Sequence, residues 1–113
     1  MHEVSLMENA LVIALNYAAR ERASRIHQIA LRVGDLSGVE PDALRFAFDV
    51  VTQGTIAEDA QLSIQSCPTV CYCNFCQTHF RPTELGYECP TCQTWSMSIV
   101  QGKELELASL EVS

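Results

Sequence analysis

The sequence predicts an α+β fold, in which two helices pack on a three-stranded sheet and a four-cysteine zinc-ribbon module is inserted before the last strand. Two stretches place apolar residues at helical spacing, three others alternate like strands, and all six cysteines lie between positions 67 and 92 of the 113-residue chain. This length suits one small domain with a module attached. We expect residues 1–66 and 103–113 to form an α/β domain and residues 67–102 to form the ribbon.

The first predicted element is a helix from Ser5 to about Arg22. This stretch is rich in alanine, leucine and glutamate and contains no glycine or proline, a composition that favours helix. Its apolar residues recur at helical spacing, at Met7, Leu11, Ala14, Leu15 and Ala18. This stripe predicts an amphipathic helix with one buried face.

A strand follows and is predicted to end near Gly34. Its apolar positions Ile29, Leu31 and Val33 alternate with other residues, as expected of a half-buried strand. His27 falls on the apolar side of this alternation. We interpret His27 as a half-buried residue with a satisfied hydrogen bond, in preference to a metal ligand.

The second helix is predicted to begin at Pro41, because proline is favoured at the first helical position. Gly54 is expected to end it. Its predicted buried face consists of four apolar residues at helical spacing, namely Leu44, Ala47, Phe48 and Val51.

Two further strands are predicted at residues 60–66 and 103–112 from their alternating apolar residues. In the last strand the apolar positions change phase after Leu107. This change predicts a β-bulge near Ala108 and Ser109, because one extra residue reverses the face on which the following side chains lie.

Residues 67–102 differ in composition from the rest of the chain. They contain all six cysteines, three of the four prolines and the only tryptophan, with few aliphatic residues. Such a segment buries too little apolar surface to fold on its side chains alone. A bound metal would supply the missing stabilisation.

Two C-x-x-C pairs, Cys73 with Cys76 and Cys89 with Cys92, are separated by 12 residues. Two tight turns that each present two thiolates are typical of a tetrahedral Zn(II) site. Such a site has no open coordination position, so its predicted role is structural. A thioredoxin-like redox motif is the alternative, but it requires a helix that starts at the first cysteine, and no helical pattern follows either pair.

The remaining two cysteines, Cys67 and Cys71, do not form a second pair of this kind. We interpret them as small buried or edge thiols. His79 lies three residues after Cys76. It is interpreted as a loop residue, with a role as an auxiliary zinc ligand as the alternative.

The first residues, Met1, His2 and Glu3, suggest a second metal site. The α-amine of Met1 together with the backbone nitrogen and imidazole of His2 can close two adjacent chelate rings. A planar set of nitrogen donors suits Ni(II) or Cu(II). The alternative is an ordinary translation start in which His2 has no special role.

The formal net charge of −7 argues against nucleic-acid binding, because only seven lysines and arginines are present to neutralise phosphates. No apolar run approaches the roughly 20 residues that span a bilayer, and no signal-peptide pattern is present at the start. We expect a cytoplasmic protein without membrane contact, in which cysteines serve metal binding more readily than disulfides.

Taken together, the start MHEVSL, the stretch VGDLSGVEPDALRFAFD, the two C-x-x-C pairs and the stretch IVQGKELELASLEV resemble the HypA family of [NiFe]-hydrogenase maturation. The resemblance covers nearly the full length. It implies a nickel metallochaperone and not an enzyme, with structural Zn(II) and transient Ni(II). Nickel ligands carry over to Met1, His2 and Glu3, with Glu40 as a possible oxygen donor.

The resemblance also implies partners, namely a HypB-type GTPase and the hydrogenase large-subunit precursor. Because the last strand must return across a flexible junction to the first domain, its exchange between two chains would form a homodimer. Family members that also serve urease tend to have histidines beside both cysteine pairs. Here only His79 is near, so we expect no urease role. Asp35 and Glu40 have solvation or helix capping as alternative roles.

A zinc-ribbon module that recruits a protein or nucleic acid is the rival interpretation of the whole chain. It predicts a basic or aromatic face on the ribbon. The stretch QTHFRPTELGYE has one arginine against two glutamates, which argues against a basic face.

Overall fold

The computed structural model describes residues 2–83, 86–96 and 98–113. Along the chain the elements are α1 (His2–Arg20), β1 (Ile26–Gly34), α2 (Pro41–Val51), β2 (Gln61–Cys67), β3 (Val70–Cys73), β4 (Thr78–Phe80), β5 (Ser98–Gln101) and β6 (Leu105–Val112). Across these ranges, neither helix is long and apolar enough to cross a membrane.

The main sheet has the order β2-β1-β6, with β1 at its centre. β2 runs parallel to β1 and is reached through α2, whereas β6 runs antiparallel to β1. Both helices and all three strands contribute to one core, whose buried members include Met7, Leu11, Ile29, Leu31, Leu44 and Phe48. The predicted α+β arrangement of two helices with a three-stranded sheet is confirmed.

Both helices occupy the predicted stretches. α1 begins at His2, three residues before the predicted start at Ser5, and ends at Arg20. α2 begins at Pro41 as predicted, and Glu40 is its N-cap. Every residue of the predicted stripes is buried or packs against the core, so the helical spacing of apolar residues identified the correct faces.

His27 is exposed, so its predicted half-buried position on the apolar face is wrong. The pairing of β1 with β6 shifts register between Ile26 and Gln28, which places an extra residue at His27. Because a bulge reverses the face of the side chains beyond it, Ile26 is buried and His27 points outward. The expected hydrogen bond is present, since His27 Nε2 lies 2.6 Å from Ser113 Oγ.

The predicted β-bulge in the last strand is confirmed at Ala108. Ala30 pairs with Ser109 and Leu31 pairs with Leu107, which leaves Ala108 without a partner position on β1. The bulge explains the change of phase, because the apolar residues on both sides of it pack against the same core, namely Leu105, Leu107, Leu110 and Val112.

A second sheet, with the order β4-β3-β5, is formed between β2 and β6. The buried hydrophobic cluster beside it consists of Cys71, Cys73, Phe80 and Cys89, so three of its four members are cysteines. Cys67, the first residue of the predicted ribbon, is also the last residue of β2 and pairs with Gly34. The division into two domains stays a prediction.

The two sheets meet at the end of β1, where the backbone is tightly packed. The N–H groups of Asp35 and Leu36 donate to the carbonyls of Cys67 (3.0 Å) and Gly102 (2.6 Å), which lie on the segments that lead into and out of the ribbon. A Cβ atom on Gly34 would lie 2.1 Å from the Gly102 carbonyl oxygen. A side chain at position 34 would therefore separate these segments.

We predict that Gly34→Ala destabilises the protein by about 3 kcal/mol through this clash with backbone. Gly38→Ala is the matched control, because a Cβ at Gly38 meets nothing within 4 Å and costs only its positive φ of 76°, about 1 kcal/mol. Urea unfolding of both variants followed by circular dichroism measures the difference. Equal stability of the two variants would contradict the tight junction.

Candidate metal centre

Two turns of the same construction present the four paired cysteines. In each, the glutamine after the second cysteine has a positive φ, 57° at Gln77 and 60° at Gln93. The N–H of Gln77 donates to the Cys73 carbonyl at 2.7 Å, and that of Gln93 donates to the Cys89 carbonyl at 2.8 Å. This left-handed residue closes each turn, so that both cysteines of a pair point to the same side.

The four sulfurs face one another. All four Sγ atoms lie within 4.8 Å of one another, with Cys73 3.6 Å from Cys92 and Cys89 4.0 Å from Cys76. A tetrahedral ion with Zn–S bonds of about 2.3 Å requires S···S distances of about 3.8 Å. Both the soft sulfur donors and their spacing fit a four-coordinate Zn(II).

The four thiols influence one another's protonation. Hydrogen bonds from the Thr94 side chain and backbone lower the pKa of the Cys92 thiol to about 6. A hydrogen bond with Cys92, followed by burial, raises the pKa of the Cys76 thiol to about 12. Four converging sulfurs therefore keep at least one proton at neutral pH when no metal compensates their charge.

The cluster does not have the geometry of a redox motif. Cys73 is the last residue of a strand and is followed by a turn, not by a helix that would stabilise its thiolate. Cys67 and Cys71 are buried, as predicted, and neither belongs to the four-cysteine cluster. The four paired cysteines, and not a redox pair, are therefore the arrangement found in the described residues.

His79 is a strand residue, so the expectation that it lies in a loop is wrong. It pairs with Tyr72 across β3 and β4, and the two rings form an edge contact with centroids 5.1 Å apart. Neighbouring residues of a strand face opposite sides, so His79 shares the face of Tyr72 and not that of Cys73. This placement argues against His79 as a zinc ligand.

The N-terminal residues are brought to the start of α2. His2 is the first residue of α1 and is exposed, and its Nδ1 lies 3.8 Å from Glu3 Oε2. The same Glu3 oxygen accepts a hydrogen bond of 3.4 Å from the Glu40 backbone N–H. Hydrogen bonds from the Glu3 and Glu40 backbones lower the pKa of the Glu3 carboxyl and so favour its ionised form. Met1 lies outside the described residues.

Glu40 contacts this region through its backbone, while its side chain has another partner. Its Oε1 accepts a hydrogen bond of 3.3 Å from the Asp42 N–H and so caps α2. From the sequence, Glu40 is connected with the N-terminus only through the family resemblance. Its contact with Glu3 was missed, because any residue except proline at position 40 could donate this backbone hydrogen bond. Asp35 is exposed in the same loop.

Helical geometry leaves the amide of His2 available. The first four N–H groups of a helix have no partner within it, so a metal could replace the amide proton of His2 without breaking a helical hydrogen bond. The backbone nitrogen and imidazole of His2 thus form an open donor group beside the Glu3 carboxylate.

A family model described as "Hydrogenase/urease nickel incorporation, metallochaperone, hypA" matches residues 1–112. The chain belongs to the HypA family. This is a family of metallochaperones and not of enzymes. A "Hydrogenase maturation factor HypA" from Picosynechococcus sp. is 49% identical over 112 residues, which cover 99% of both chains.

Two solved HypA structures share the fold. "Solution structure of HypA protein" superposes with a TM-score of 0.78 at 27% identity and covers 100% of this chain and 97% of its own. "Solution structure of the Ni metallochaperone HypA from Helicobacter pylori" gives a TM-score of 0.70 at 25% identity, with 97% and 96% coverage. The HypA family fold is therefore present over the whole chain.

The raised pKa of Cys76 predicts that Zn(II) binding to the metal-free chain releases protons and tightens as pH rises. Each displaced proton changes the apparent affinity about tenfold per pH unit. Competition with a coloured chelator between pH 6 and pH 8 measures the slope, with Cys67→Ala as a control that should leave it unchanged. A pH-independent affinity would contradict the proton assignment.

Proposed function

We propose that this HypA-family chain binds Ni(II) at its N-terminus and delivers it to the precursor of the [NiFe]-hydrogenase large subunit, with Zn(II) as a structural ion in the ribbon. The observation that carries the nickel proposal is the meeting of His2 and Glu3 with the backbone of Glu40. It presents nitrogen donors and a carboxylate together at an exposed helix start.

The exposure of the proposed nickel site suits it to transfer of the ion to a partner protein. The His2 side chain is exposed, and its donors belong to the first helical residue, so a partner can approach the ion without opening the core. The Met1 α-amine and the backbone nitrogen and imidazole of His2 would complete a planar set suited to Ni(II). Glu3, and Glu40 if its cap were released, would supply oxygen donors.

The proposed zinc ligands are Cys73, Cys76, Cys89 and Cys92. Their four thiolates would complete a tetrahedron and leave no position for substrate. Bound there, Zn(II) would hold together a ribbon whose buried hydrophobic cluster has, among the described residues, Phe80 as its one member other than cysteine. Its role would be to fold the ribbon and not to act in transfer.

The proposed partners are a HypB-type GTPase as nickel source and the hydrogenase precursor as acceptor, in the cytoplasm. The acidic charge of the chain favours basic partner surfaces and disfavours nucleic acid. The proposal also includes a homodimer that exchanges β6, because β6 reaches the main sheet only after the ribbon.

A second candidate function is recruitment of a protein by the ribbon. Phe75, at the tip of the first cysteine turn, is 81% exposed, and Trp95 is 57% exposed. Large aromatic residues at the surface are typical of protein contacts. Replacing Phe75 with Ser should leave both metals bound but weaken partner binding if the ribbon has this role.

For zinc, we predict that the purified protein carries about one Zn(II) per chain and that replacing both Cys73 and Cys89 with Ala removes it and unfolds the ribbon. The metal's binding free energy is folding free energy in so small a module, whereas α1, α2 and the main sheet should persist. Elemental analysis and amide hydrogen exchange measure this.

Cys67→Ala is the matched zinc control, since Cys67 is buried but outside the cluster. It should retain full zinc content. Zinc and ordered ribbon amides in the double variant would show that the four-sulfur assignment is wrong.

For nickel, we predict that His2→Ala and a chain with extra residues before Met1 both lose specific Ni(II) binding, while zinc stays unchanged. The first change removes the imidazole, and the second moves the free amine away from His2. Titration by calorimetry and the absorption spectrum of square-planar Ni(II) measure the effect. Glu40→Gln should have little effect if Glu40 only caps α2.

His27→Ala is the matched nickel control. His27 is exposed and hydrogen-bonded to Ser113 at the start of β1, whereas the loop that contacts Glu3 follows the end of β1. It should bind nickel as the native chain does. Nickel retained in both the extended chain and His2→Ala would refute the N-terminal site.

A further inference from the structure

A second apolar stripe runs along α1 beside the buried one. Its members precede the core residues by one position each, and they are Leu6, Ala10, Ile13 and Tyr17. Ile13 is 48% exposed and Tyr17 is 51% exposed. Ala10 also packs against the core, and the Arg20 guanidinium lies 5.4 Å from the centroid of the Tyr17 ring. Ile13 and the rest of the Tyr17 side chain leave an exposed apolar surface on α1.

This second stripe forms one wall of a groove, and the helix-facing side of β6 forms the other. Two cavities of about 380 and 330 Å³ lie between them, and both are lined by Tyr17 and Leu107. Since the cavities share these two residues, they are adjacent along β6, and together they form a largely apolar groove. We call it the α1–β6 groove.

The groove adjoins a free sheet edge. In the described residues, β6 is the outer strand and has β1 as its one neighbour. Gly34 N–H donates to the Glu104 carbonyl at 2.7 Å, and hydrogen-bonded pairs alternate along antiparallel strands. The backbone groups of Leu105 and Leu107 therefore point away from β1, towards a strand that could lie outside.

The side chains of β1, the strand that pairs with β6, indicate which pattern of residues a second neighbouring strand would need. Leu31 and Val33 of β1 point to the helices, and Arg32 between them points to the opposite face. Arg32 pairs with Glu106 of β6 through an ion pair of 3.2 Å. Apolar residues on the helix side and a cation on the other side are thus the pattern that matches β6.

A second copy of the chain does not have this pattern. β6 has two glutamates, Glu106 and Glu111, on the face away from the helices, and it contains no lysine or arginine. Antiparallel pairing that aligns two β6 strands over their full length would set Glu106 of one opposite Glu111 of the other, and like charges directly opposite are destabilising. Charge therefore favours a different polypeptide over self-association.

We propose that the outer edge of β6 and the α1–β6 groove bind an extended segment of a partner protein in which apolar residues alternate with lysine or arginine. The segment adds a fourth strand to the main sheet. Its apolar side chains enter the groove against Ile13, Tyr17 and Leu107, and its cations lie beside Glu106 and Glu111. Main-chain pairing gives affinity, and the alternation gives specificity.

This surface goes beyond the nickel proposal and does not depend on it. His2 lies at the start of α1, whereas Tyr17 lies in its last turn. A partner held at the groove would stay bound to the helix whose first residue carries the proposed nickel ligands. Binding of the segment and binding of the metal can be measured separately.

Synthetic nine-residue peptides, the length of β1, test the proposal by fluorescence anisotropy with the full-length, zinc-loaded chain. One alternates valine with lysine, a second alternates valine with glutamate, and a third has the composition of the first with its valines grouped together. The first should bind at least about tenfold more tightly than the others, because only it satisfies both the groove and the carboxylates. Equal binding of all three would overturn the proposal.

Matched variants locate the site. Ile13→Ser should weaken binding of the lysine peptide about tenfold, whereas Val12→Ser should not, because Val12 is 56% exposed but lies outside the groove. Glu111→Lys should shift preference towards the glutamate peptide, and Glu8→Lys, on a surface of α1 outside the groove, should not.

Binding that is unchanged in both Ile13→Ser and Glu111→Lys would overturn the proposal, as would a dimer, detected by light scattering, that Ile13→Ser dissociates. Circular dichroism shows that each variant is folded. His2→Ala should keep peptide binding, so failure of the nickel site and failure of the groove give different results.

Discussion

β1 forms hydrogen bonds to β2 on one side and to β6 on the other, and β6 reaches it only after the chain has passed through the ribbon. The core under α1 needs the apolar residues of β6, so it is complete only when this distant strand has paired. The close packing of Gly34 against Gly102 lets both connecting segments cross the end of β1 together. A folded ribbon holds these two segments side by side and so favours, without being required for, the pairing of β6 with β1.

The ribbon brings these segments together with little apolar surface of its own. Its buried cluster has one side chain other than cysteine among the described residues, which is far less than a sheet of this size needs to be stable alone. The four sulfurs are arranged at the spacing of a tetrahedral ion. A metal there would stabilise both the ribbon and, through the paired segments, the closure of the main sheet by β6.

Sequence periodicity was sufficient to predict the elements whose apolar residues face the core. The stripes of α1 and α2 and the phase change at Ala108 all follow from which face meets the core, and the paired cysteines follow from metal geometry. The prediction for His27 was wrong because its orientation depends on a register shift between β1 and β6. These strands are distant in sequence, so the pattern of residues within β1 does not show the shift. The outward face of His79 likewise depends on its pairing with Tyr72, which residue type alone does not specify.

The two candidate metal sites differ in the property that separates a structural ion from a transported one. Four converging thiolates are soft, anionic donors that enclose an ion and suit Zn(II), whereas an amide and an imidazole at an exposed helix start leave positions open. The loop that begins at Asp35 and ends at Glu40 contacts both regions: its first N–H groups bond to the segments of the ribbon, and its last one bonds to Glu3. The ligand region at the N-terminus thus contacts the same loop backbone that anchors the ribbon, which links the two candidate metal sites within one small chain.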